Sequence, residues 1–249
     1  MIINAPTPGQ VPALRSLWQE AFGDTDAFLS SFFAVTDGQH GFTATQDGQV
    51  AGALYWFDCI CRGKKLAYLY GVATAKAFRG QGVCHALMEH THRHLQEAGY
   101  AGALLVPGEE SLFRFYEKMG YTPFGAMTER HYTAGTVPAD LRAVDIAEYA
   151  FLRRQLLPEG GVIQEGKNLD FLACQAQLYA GKDFILAARK ENGKLLGLEL
   201  LGKPNPEGIL AALGCTEGSF RMFGEGAPFA MYRPLSDAPA PRYFAFAFD

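Results

Sequence analysis

A short glycine-rich segment between a strand and a helix constrains this chain more than any other feature. The apolar run Leu66 to Thr74 predicts a β-strand, and a turn over residues 75–78 follows it. Arg79-Gly80-Gln81-Gly82 then opens a segment of helical periodicity, which predicts a helix from Gly80 to Ala98. The first turn of a helix leaves its backbone N–H groups without partners, and the helix dipole favours an anion there. The sequence therefore predicts a phosphate-binding loop.

The spacing of the glycines excludes two common phosphate-binding loops. A Walker A loop ends in Gly-Lys followed by Ser or Thr, whereas Gly82 is followed by Val83 and Cys84. A dinucleotide-binding loop would place a third glycine where His85 stands. What remains is an arginine, two residues, a glycine, one residue and a small residue, directly after an apolar strand.

This remaining pattern resembles the acetyl-CoA loop of the GNAT superfamily of N-acetyltransferases. Arg79 and Gly82 match it, and Cys84 stands where the family usually has glycine or alanine. The resemblance implies that acetyl-CoA is the acetyl donor and that its pyrophosphate lies on the loop. The residues that it implies for acetyl-CoA binding are Val72, Ala73, Thr74, Arg79, Gly80, Gln81, Gly82, Val83 and Cys84.

A second segment resembles another element of the GNAT superfamily, a helix that bears Phe/Leu-Tyr-x-Lys-x-Gly-Phe/Tyr. Residues 115–121 match it as Phe-Tyr-Glu-Lys-Met-Gly-Tyr. The resemblance implies that Tyr116 is the general acid that protonates the leaving thiolate of CoA. Two positions depart from the family, because Glu109 stands where asparagine is common and Leu112 stands where a small residue is common. The resemblance therefore implies no asparagine contact to CoA at position 109.

Helical periodicity offers a second interpretation of Tyr116. Leu112, Phe115, Tyr116 and Met119 follow the i, i+3, i+4, i+7 spacing of a core-facing stripe. A buried tyrosine in such a stripe needs only one hydrogen-bond partner. Periodicity alone favours core packing, whereas the occurrence of both motifs in the order of the family favours catalysis.

The expected chemistry is direct transfer of the acetyl group to an amine in a ternary complex. Backbone N–H groups around Val72 to Thr74 would stabilise negative charge on the thioester oxygen, and Tyr116 would protonate the thiolate. Holding both substrates in one cleft supplies much of the rate. The sequence does not single out a general base, and the candidates are Asp24, Asp26, Asp58, Glu109, Glu110 and Asp249.

The helix after the loop carries one cysteine and three histidines. A helical wheel places Cys84 on the same face as Met88 and Leu95, towards the core, which argues against an acyl-cysteine intermediate. The three histidines, His90, His92 and His94, are expected on the solvated flank of this helix, with no bound metal.

The order of the predicted elements indicates an α/β fold with a mixed sheet. Over residues 1–133 it is strand, two helices, three antiparallel strands, helix, strand, helix and strand, with a helix stop at Gly23 and a hairpin turn at Asp47-Gly48. An antiparallel meander followed by βαβ units predicts a mixed sheet covered by helices. The GNAT fold has the same order, so a GNAT acetyltransferase domain is expected over residues 1–133.

Residues 134–249 predict a smaller C-terminal α/β domain. Helical patterns cover Leu141 to Leu156 and Leu169 to Tyr179, and a hairpin turned by Glu191-Asn192-Gly193 follows. Phe229 to Arg233 and Tyr243 to Phe248 have the composition of strands. Two helices and a hairpin loosely repeat the first half. A degenerate GNAT-like domain without an acetyl-CoA loop and an unrelated α+β module both stay open.

Composition limits the partners of the protein. A formal net charge of −4 argues against a nucleic-acid partner, and no apolar run approaches the length of a membrane span. Five cysteines, an odd number, fit free thiols in a reducing compartment, so a cytoplasmic location is expected. The expected acceptor is a small-molecule or peptide amine, and the expected state is a monomer or homodimer. The alternative function is a non-catalytic CoA-binding or sensor protein.

Overall fold

The computed structural model describes residues 1–36, 40–224 and 226–248. Its helices and strands form a mixed α/β fold, which confirms the predicted fold class. The chain divides into two compact units, Met1–Thr122 with Met231–Ala240, and Pro123–Ala230 with Pro241–Asp249. The predicted domains, 1–133 and 134–249, are contiguous segments instead, and their boundary stays a prediction. In the described part of the chain, no helix has the length and apolar character that crossing a membrane requires.

The first unit is a mixed sheet with helices packed on it. In chain order its elements are β1 (Ile2–Asn4), α1 (Val11–Phe22), α2 (Asp26–Thr36), β2 (Gly41–Gln46), β3 (Gln49–Cys61), β4 (Lys64–Thr74), α3 (Val83–Glu97), β5 (Gly102–Leu105) and α4 (Ser111–Glu117). The strands lie in chain order with antiparallel neighbours, except that β4 and β5 are parallel. The other edge of β5 pairs with the end of β12 (Ala227–Pro234).

Local signals in the sequence determine where these elements begin and end. α1 ends at Phe22 because Gly23 takes up the left-handed conformation, as predicted. The β2–β3 turn has positive φ at both Asp47 and Gly48, which is the geometry of a two-residue hairpin loop. α3 begins three residues later than the predicted start at Gly80, because both Gly80 and Gly82 have positive φ and cannot lie inside a right-handed helix.

The sheet of the first unit is covered on both faces. On one face, buried side chains of β3 and β4 share a core with Val83 and Leu87 of α3 and Tyr116 of α4. On the other face, α1 and α2 contribute aromatic rings, with Trp18 and Phe32 4.6 Å apart at their centroids. The two motifs that the sequence singles out, the loop and the tyrosine helix, therefore border the same core.

The second unit has a similar design. Its elements in chain order are β6 (Thr122–Thr133), β7 (Leu141–Ala143), α5 (Ile146–Leu156), α6 (Lys167–Ala173), β8 (Gln177–Gly181), β9 (Phe184–Glu191), β10 (Lys194–Gly202), α7 (Pro206–Ala212) and β11 (Glu217–Phe223). The strand order is β7-β8-β9-β10-β11-β6, and β10 and β11 are the parallel pair.

Two of the helices predicted for the second half are partly wrong. The helix predicted from Leu141 begins only after Asp145, whose carboxylate accepts a hydrogen bond from the N–H of Glu148, and β7 precedes it. The helix predicted to reach Tyr179 ends at Ala173, and β8 follows. The hairpin turn at Asn192-Gly193 is confirmed by positive φ at both residues. Tyr243 to Phe248 form no strand, and Tyr243 makes a single bridge to Gly161.

The second unit repeats the element order of the first. The series β7-α5-α6-β8-β9-β10-α7-β11 matches β1-α1-α2-β2-β3-β4-α3-β5, including the parallel pair formed by the last two strands. Both β4 and β10 also carry a register shift against the preceding strand. This order supports a degenerate GNAT-like copy over an unrelated module, although that origin stays a prediction.

Candidate active site

The loop between β4 and α3 leaves open space where a phosphate would lie. Arg79, Gly80, Gln81 and Gly82 are exposed, and a Cβ added to either glycine would meet no atom within 4 Å. The Arg79 Nε atom donates to the Thr74 carbonyl at 3.2 Å, which ties the loop to the end of β4. An open backbone beside a guanidinium suits an anionic group.

The start of α3 supplies N–H donors to the same space. The first bond inside the helix runs from Ala86 N–H to the Gly82 carbonyl at 3.0 Å. The N–H groups of Val83, Cys84 and His85 therefore precede the intrahelical ladder, as in any first helical turn. Val83 is 1% exposed and packs into the core, so the position of this helix end on the sheet is fixed.

Strand β4 separates from β5 near its end. Parallel pairing runs from Leu66 opposite Gly102 to Tyr68 opposite Leu104, and β4 then continues to Thr74 paired with β3 but not with β5. One residue of β3 faces both Gly71 and Val72, which is a β-bulge, and Gly71 has a φ of 61°. The end of β4, around Val72, Ala73 and Thr74, is thus separated from β5.

Tyr116 lies in the shared core on α4. It is 7% exposed, and its ring meets that of Tyr121 edge to face at 5.8 Å between centroids. Burial, with a smaller contribution from Cys84, raises the pKa of Tyr116 above its usual range. Within the described residues no hydrogen bond joins its hydroxyl to another side chain or to the backbone. The tyrosine is therefore both a core residue and a protonated phenol at neutral pH.

Cys84 faces the core, as the helical wheel predicts. It packs against the cluster that contains Tyr116, and burial raises its pKa to about 11. A thiol with so high a pKa is almost entirely protonated at neutral pH and is a poor nucleophile. These observations argue against an acyl-cysteine.

The prediction for His92 is wrong, because the ring is 2% exposed. Its Nε2 lies 2.7 Å from the Tyr121 hydroxyl, and its Nδ1 lies 2.8 Å from Nη1 of Arg233. Arg233 arrives from β12, 141 positions further along the chain. Nothing in the local pattern of α3 indicates this partner. Within the described residues no cluster of His, Cys, Asp and Glu side chains has the arrangement of a metal site.

We expect His92 to make the fold sensitive to acid. Burial, together with Arg233, lowers its pKa from 6.5 to about 4, and the neighbouring Glu89 opposes this shift while His85 adds to it. Between these two pH values the unfolded chain binds a proton that the folded chain does not. The free energy of unfolding should therefore fall by up to about 3 kcal/mol as the pH is lowered through this window.

Urea denaturation at about pH 7 and about pH 5 measures this loss. His92→Gln should lose less stability than the wild type over the same interval, and His85→Gln, which changes an exposed histidine of the same helix, should match the wild type. Equal pH dependence in His92→Gln and the wild type would contradict the assignment.

The candidate general bases have partners of their own. Asp24 accepts a hydrogen bond from Trp18 Nε1 at 2.6 Å, and Asp26 pairs with Arg15 at 3.1 Å. Asp58 pairs with Lys65, and the Glu109 carboxylate accepts a hydrogen bond from the hydroxyl of Ser111. Glu110 is exposed at the start of α4, and Asp249 lies outside the described residues. These contacts do not single out one base.

Aromatic side chains lie on the α1 and α2 side of the β4 bulge. The ring of Trp18 lies so close to Gly71 that an added Cβ would stand 2.6 Å from it. Tyr70 is half-buried next to the bulge, with its centroid 5.7 Å from that of Trp18. Trp56 lies on the opposite face, in the core shared with α3. Tyr70 therefore lies beside the bulge and is partly exposed to solvent.

Comparison with known proteins identifies the fold. A family model described as an acetyltransferase (GNAT) domain matches residues 3–124. The GCN5-related N-acetyltransferase structure from Anabaena variabilis is 15% identical, with a TM-score of 0.76 over 94% of this chain and 73% of that one. A GCN5-related N-acetyltransferase structure from Kribbella flavida is also 15% identical, with a TM-score of 0.71 over 94% of this chain and 70% of that one.

A third similar structure, a GCN5-related N-acetyltransferase from Sphaerobacter thermophilus, spans nearly the same length. It is 16% identical, with a TM-score of 0.56 over 98% of both chains. At these identities the structures establish the fold alone. No curated protein sequence matches this one. Residues 3–124 form a GNAT acetyltransferase domain, the domain of an acyltransferase enzyme.

Proposed function

We propose that this protein transfers the acetyl group of acetyl-CoA directly to a primary amine, with Tyr116 as the general acid. The observation that carries the proposal is the meeting of two motifs in one core. Val83, at the start of α3 behind the loop, and Tyr116 on α4 belong to the same buried cluster. Cys84, the next residue of α3, is close enough to Tyr116 to affect its pKa. The start of the helix behind the loop and the phenol thus border one core.

The loop and the end of β4 are suited to hold acetyl-CoA. Gly80 and Gly82 give the pyrophosphate access to the backbone, the first turn of α3 offers N–H donors, and Arg79 adds a positive charge. Val72, Ala73 and Thr74 lie beyond the pairing with β5, and backbone groups on this edge of β4 are the ones that would bind the pantetheine chain. The Gln81 side chain accepts a hydrogen bond from Gln46 Nε2 at 3.3 Å, which connects the loop to β2.

The same residues account for the transfer step. As the amine attacks the thioester carbon, negative charge grows on the carbonyl oxygen, and N–H groups at the β4 bulge stabilise it. The C–S bond breaks, and the Tyr116 hydroxyl gives its proton to the departing sulfur. The raised pKa of Tyr116 keeps that proton in place at neutral pH. The attacking amine loses its own proton to a base or to water.

We further propose that the acceptor is a small-molecule or peptide amine and that the protein acts in the cytoplasm as a monomer or homodimer. The amine would approach from the α1 and α2 side of the β4 bulge, beside Trp18 and Tyr70. A non-catalytic CoA-binding or sensor protein is the second candidate. The sequence favours it at Glu109 and Leu112, where the GNAT pattern is changed. In the structure Glu109 is exposed and Leu112 is partly buried.

Replacing Gly82 tests whether the loop binds the donor. We expect Gly82→Leu to raise the dissociation constant for acetyl-CoA by about tenfold or more, because a side chain would fill the space reserved for the phosphates. Isothermal titration calorimetry measures the affinity. Gly99→Leu is a matched control, since Gly99 follows the same helix with a φ of 79° against 80° for Gly82 and has no atom within 4 Å of an added Cβ.

The control separates backbone strain from loss of the site, because both variants suffer the same strain. Gly99→Leu should bind acetyl-CoA like the wild type. Unaltered affinity in Gly82→Leu, or an equal loss in both variants, would count against the loop assignment. Absence of binding by the wild type at millimolar acetyl-CoA would overturn both candidate functions.

A further inference from the structure

Arg233 contacts three residues of the first unit through one nitrogen atom. It belongs to β12, outside the segment matched by the family model, and pairs with Ala103 of β5. Its Nη1 atom lies 2.7 Å from a carboxylate oxygen of Glu89, 2.8 Å from Nδ1 of His92 and 2.8 Å from the carbonyl oxygen of Met119. One guanidinium thus joins β12, α3 and the turn after α4.

The turn after α4 is tied directly to Tyr116. The N–H groups of Met119 and Tyr121 both donate to the Tyr116 carbonyl, at 2.9 and 3.2 Å. Gly120 lies between them with a φ of 81°, which lets the chain double back. Arg233 therefore contacts, through the Met119 carbonyl, a segment that is itself bonded to Tyr116.

A second route from Arg233 reaches the ring of Tyr116. A guanidinium has only N–H donors, so Nδ1 of His92 must accept, and the neutral ring then carries its proton on Nε2. That Nε2–H donates to the Tyr121 hydroxyl at 2.7 Å. The ring of Tyr121 packs edge to face against that of Tyr116. Arg233 thereby fixes the tautomer of His92 and, through it, the orientation of Tyr121.

We propose that Arg233 is a positioning residue that holds Tyr116 in place for proton transfer, by way of the Met119 carbonyl and the His92–Tyr121 pair. This rests on the proposed function, because it assumes that Tyr116 is the general acid. A positively charged group at the carboxyl end of α4 also suits the dipole of that helix. The segment Met231–Ala240 thus contributes to the active site as well as to the sheet.

Single and double substitutions test this role in the full-length protein. Thiol release from acetyl-CoA is followed with an alkylamine, an arylalkylamine, a polyamine and a short peptide. Arg233→Met is expected to lower kcat by about tenfold or more while the KM for acetyl-CoA changes less than about twofold. Arg233→Lys should recover part of the loss, and Arg93→Met, which removes an exposed arginine beside His92, should behave like the wild type.

A double variant shows whether Arg233 acts through Tyr116. In the Tyr116→Phe background, Arg233→Met should have little further effect on kcat. The same loss in both backgrounds would overturn the proposal, and so would an unchanged kcat in Arg233→Met. If Tyr116→Phe alone has no effect, the general-acid assignment is wrong, which is a separate failure. Should Arg233→Met not fold, Arg233→Lys carries the same comparison.

A spectroscopic measurement needs no turnover. In protein labelled with ¹³C-tyrosine, the resonance of Tyr116 is identified by its loss in Tyr116→Phe. It is expected to shift in Arg233→Met and to stay unchanged in Arg93→Met. An unchanged Tyr116 resonance in Arg233→Met would overturn the positioning role even if no amine in the panel were acetylated.

Discussion

Tyr116→Phe is expected to lower kcat for amine acetylation by about 10²-fold or more, since general-acid catalysis contributes rate factors of that order. The fold should be unaffected, because the phenyl ring keeps its packing and the hydroxyl makes no hydrogen bond to the described part of the chain. The KM for acetyl-CoA should stay close to that of the wild type, since the phosphates are held elsewhere. Thiol release measured over a range of pH gives these values.

The pH profile adds a second criterion. Burial raises the pKa of Tyr116, so the kcat of the wild type should not fall through deprotonation of this hydroxyl up to about pH 10. Tyr132→Phe changes a tyrosine of the second unit and serves as the control. If Tyr116→Phe kept wild-type turnover at every pH, the tyrosine would be a core residue alone, as periodicity allows.

Glu199→Ala is expected to cost about 3–5 kcal/mol of stability, the usual effect of removing one partner of a buried ion pair. Glu199 and Arg153 are 0% and 1% exposed, and the Arg153 Nε atom lies 2.9 Å from a carboxylate oxygen. The hydroxyls of Tyr149 and Tyr243 donate to the same carboxylate at 3.0 and 2.9 Å. Loss of the carboxylate leaves a buried guanidinium and two buried hydroxyls without this acceptor.

Urea denaturation of the whole chain measures this effect, with circular dichroism to follow the transition. Glu148→Ala is the control, because Glu148 forms an exposed pair with Arg142, and its loss should change stability far less. The double variant Arg153→Met/Glu199→Leu should regain much of the loss, since an apolar pair leaves no unpaired charge. A loss in Glu199→Ala as small as that in Glu148→Ala would contradict the buried network.

Residues 243–248 pack against this network, and their burial explains why the segment has the apolar composition of a strand. Residues 243–248 are all buried, although they join no ladder. The ring of Phe246 lies 4.5 Å from the guanidinium carbon of Arg153, and its backbone exchanges two hydrogen bonds with the side chain of Gln164. An amide side chain here takes the place of a neighbouring strand. Alternating aromatic residues predict burial, but they do not predict which partner covers the backbone.

The elements that the sequence predicts well depend on local signals. The stop at Gly23, the turn at Asp47-Gly48 and the glycine loop before α3 each follow from backbone conformations that few residues other than glycine adopt. Tyr116 also lies on a short helix, as expected, and the last four residues of its motif, 118–121, follow that helix. Such features need no knowledge of distant residues.

The elements that the sequence misses depend on distant contacts. The ring of His92 is buried because Arg233 reaches it from 141 positions away, and no pattern within α3 contains that information. β8 follows α6 after three residues, 174–176. The composition of this apolar stretch suits a helix as well as a strand, so it is the pairing with β9 that makes it a strand. The general base stays open because a base is defined by its distance from a bound amine, which neither the sequence nor the chain alone contains.

The most direct measurement is amine-dependent release of CoA by the wild-type protein. Acetyl-CoA is mixed with the protein and the amine panel, free thiol is followed by a colorimetric reagent, and the acetylated product is identified by mass spectrometry. Direct transfer predicts thiol release that requires both the protein and an amine, with no acetyl group left on the protein. Acetyl-CoA that binds without thiol release for any amine would contradict catalysis and favour the sensor, and acetylated Cys84 on the reaction path would contradict direct transfer.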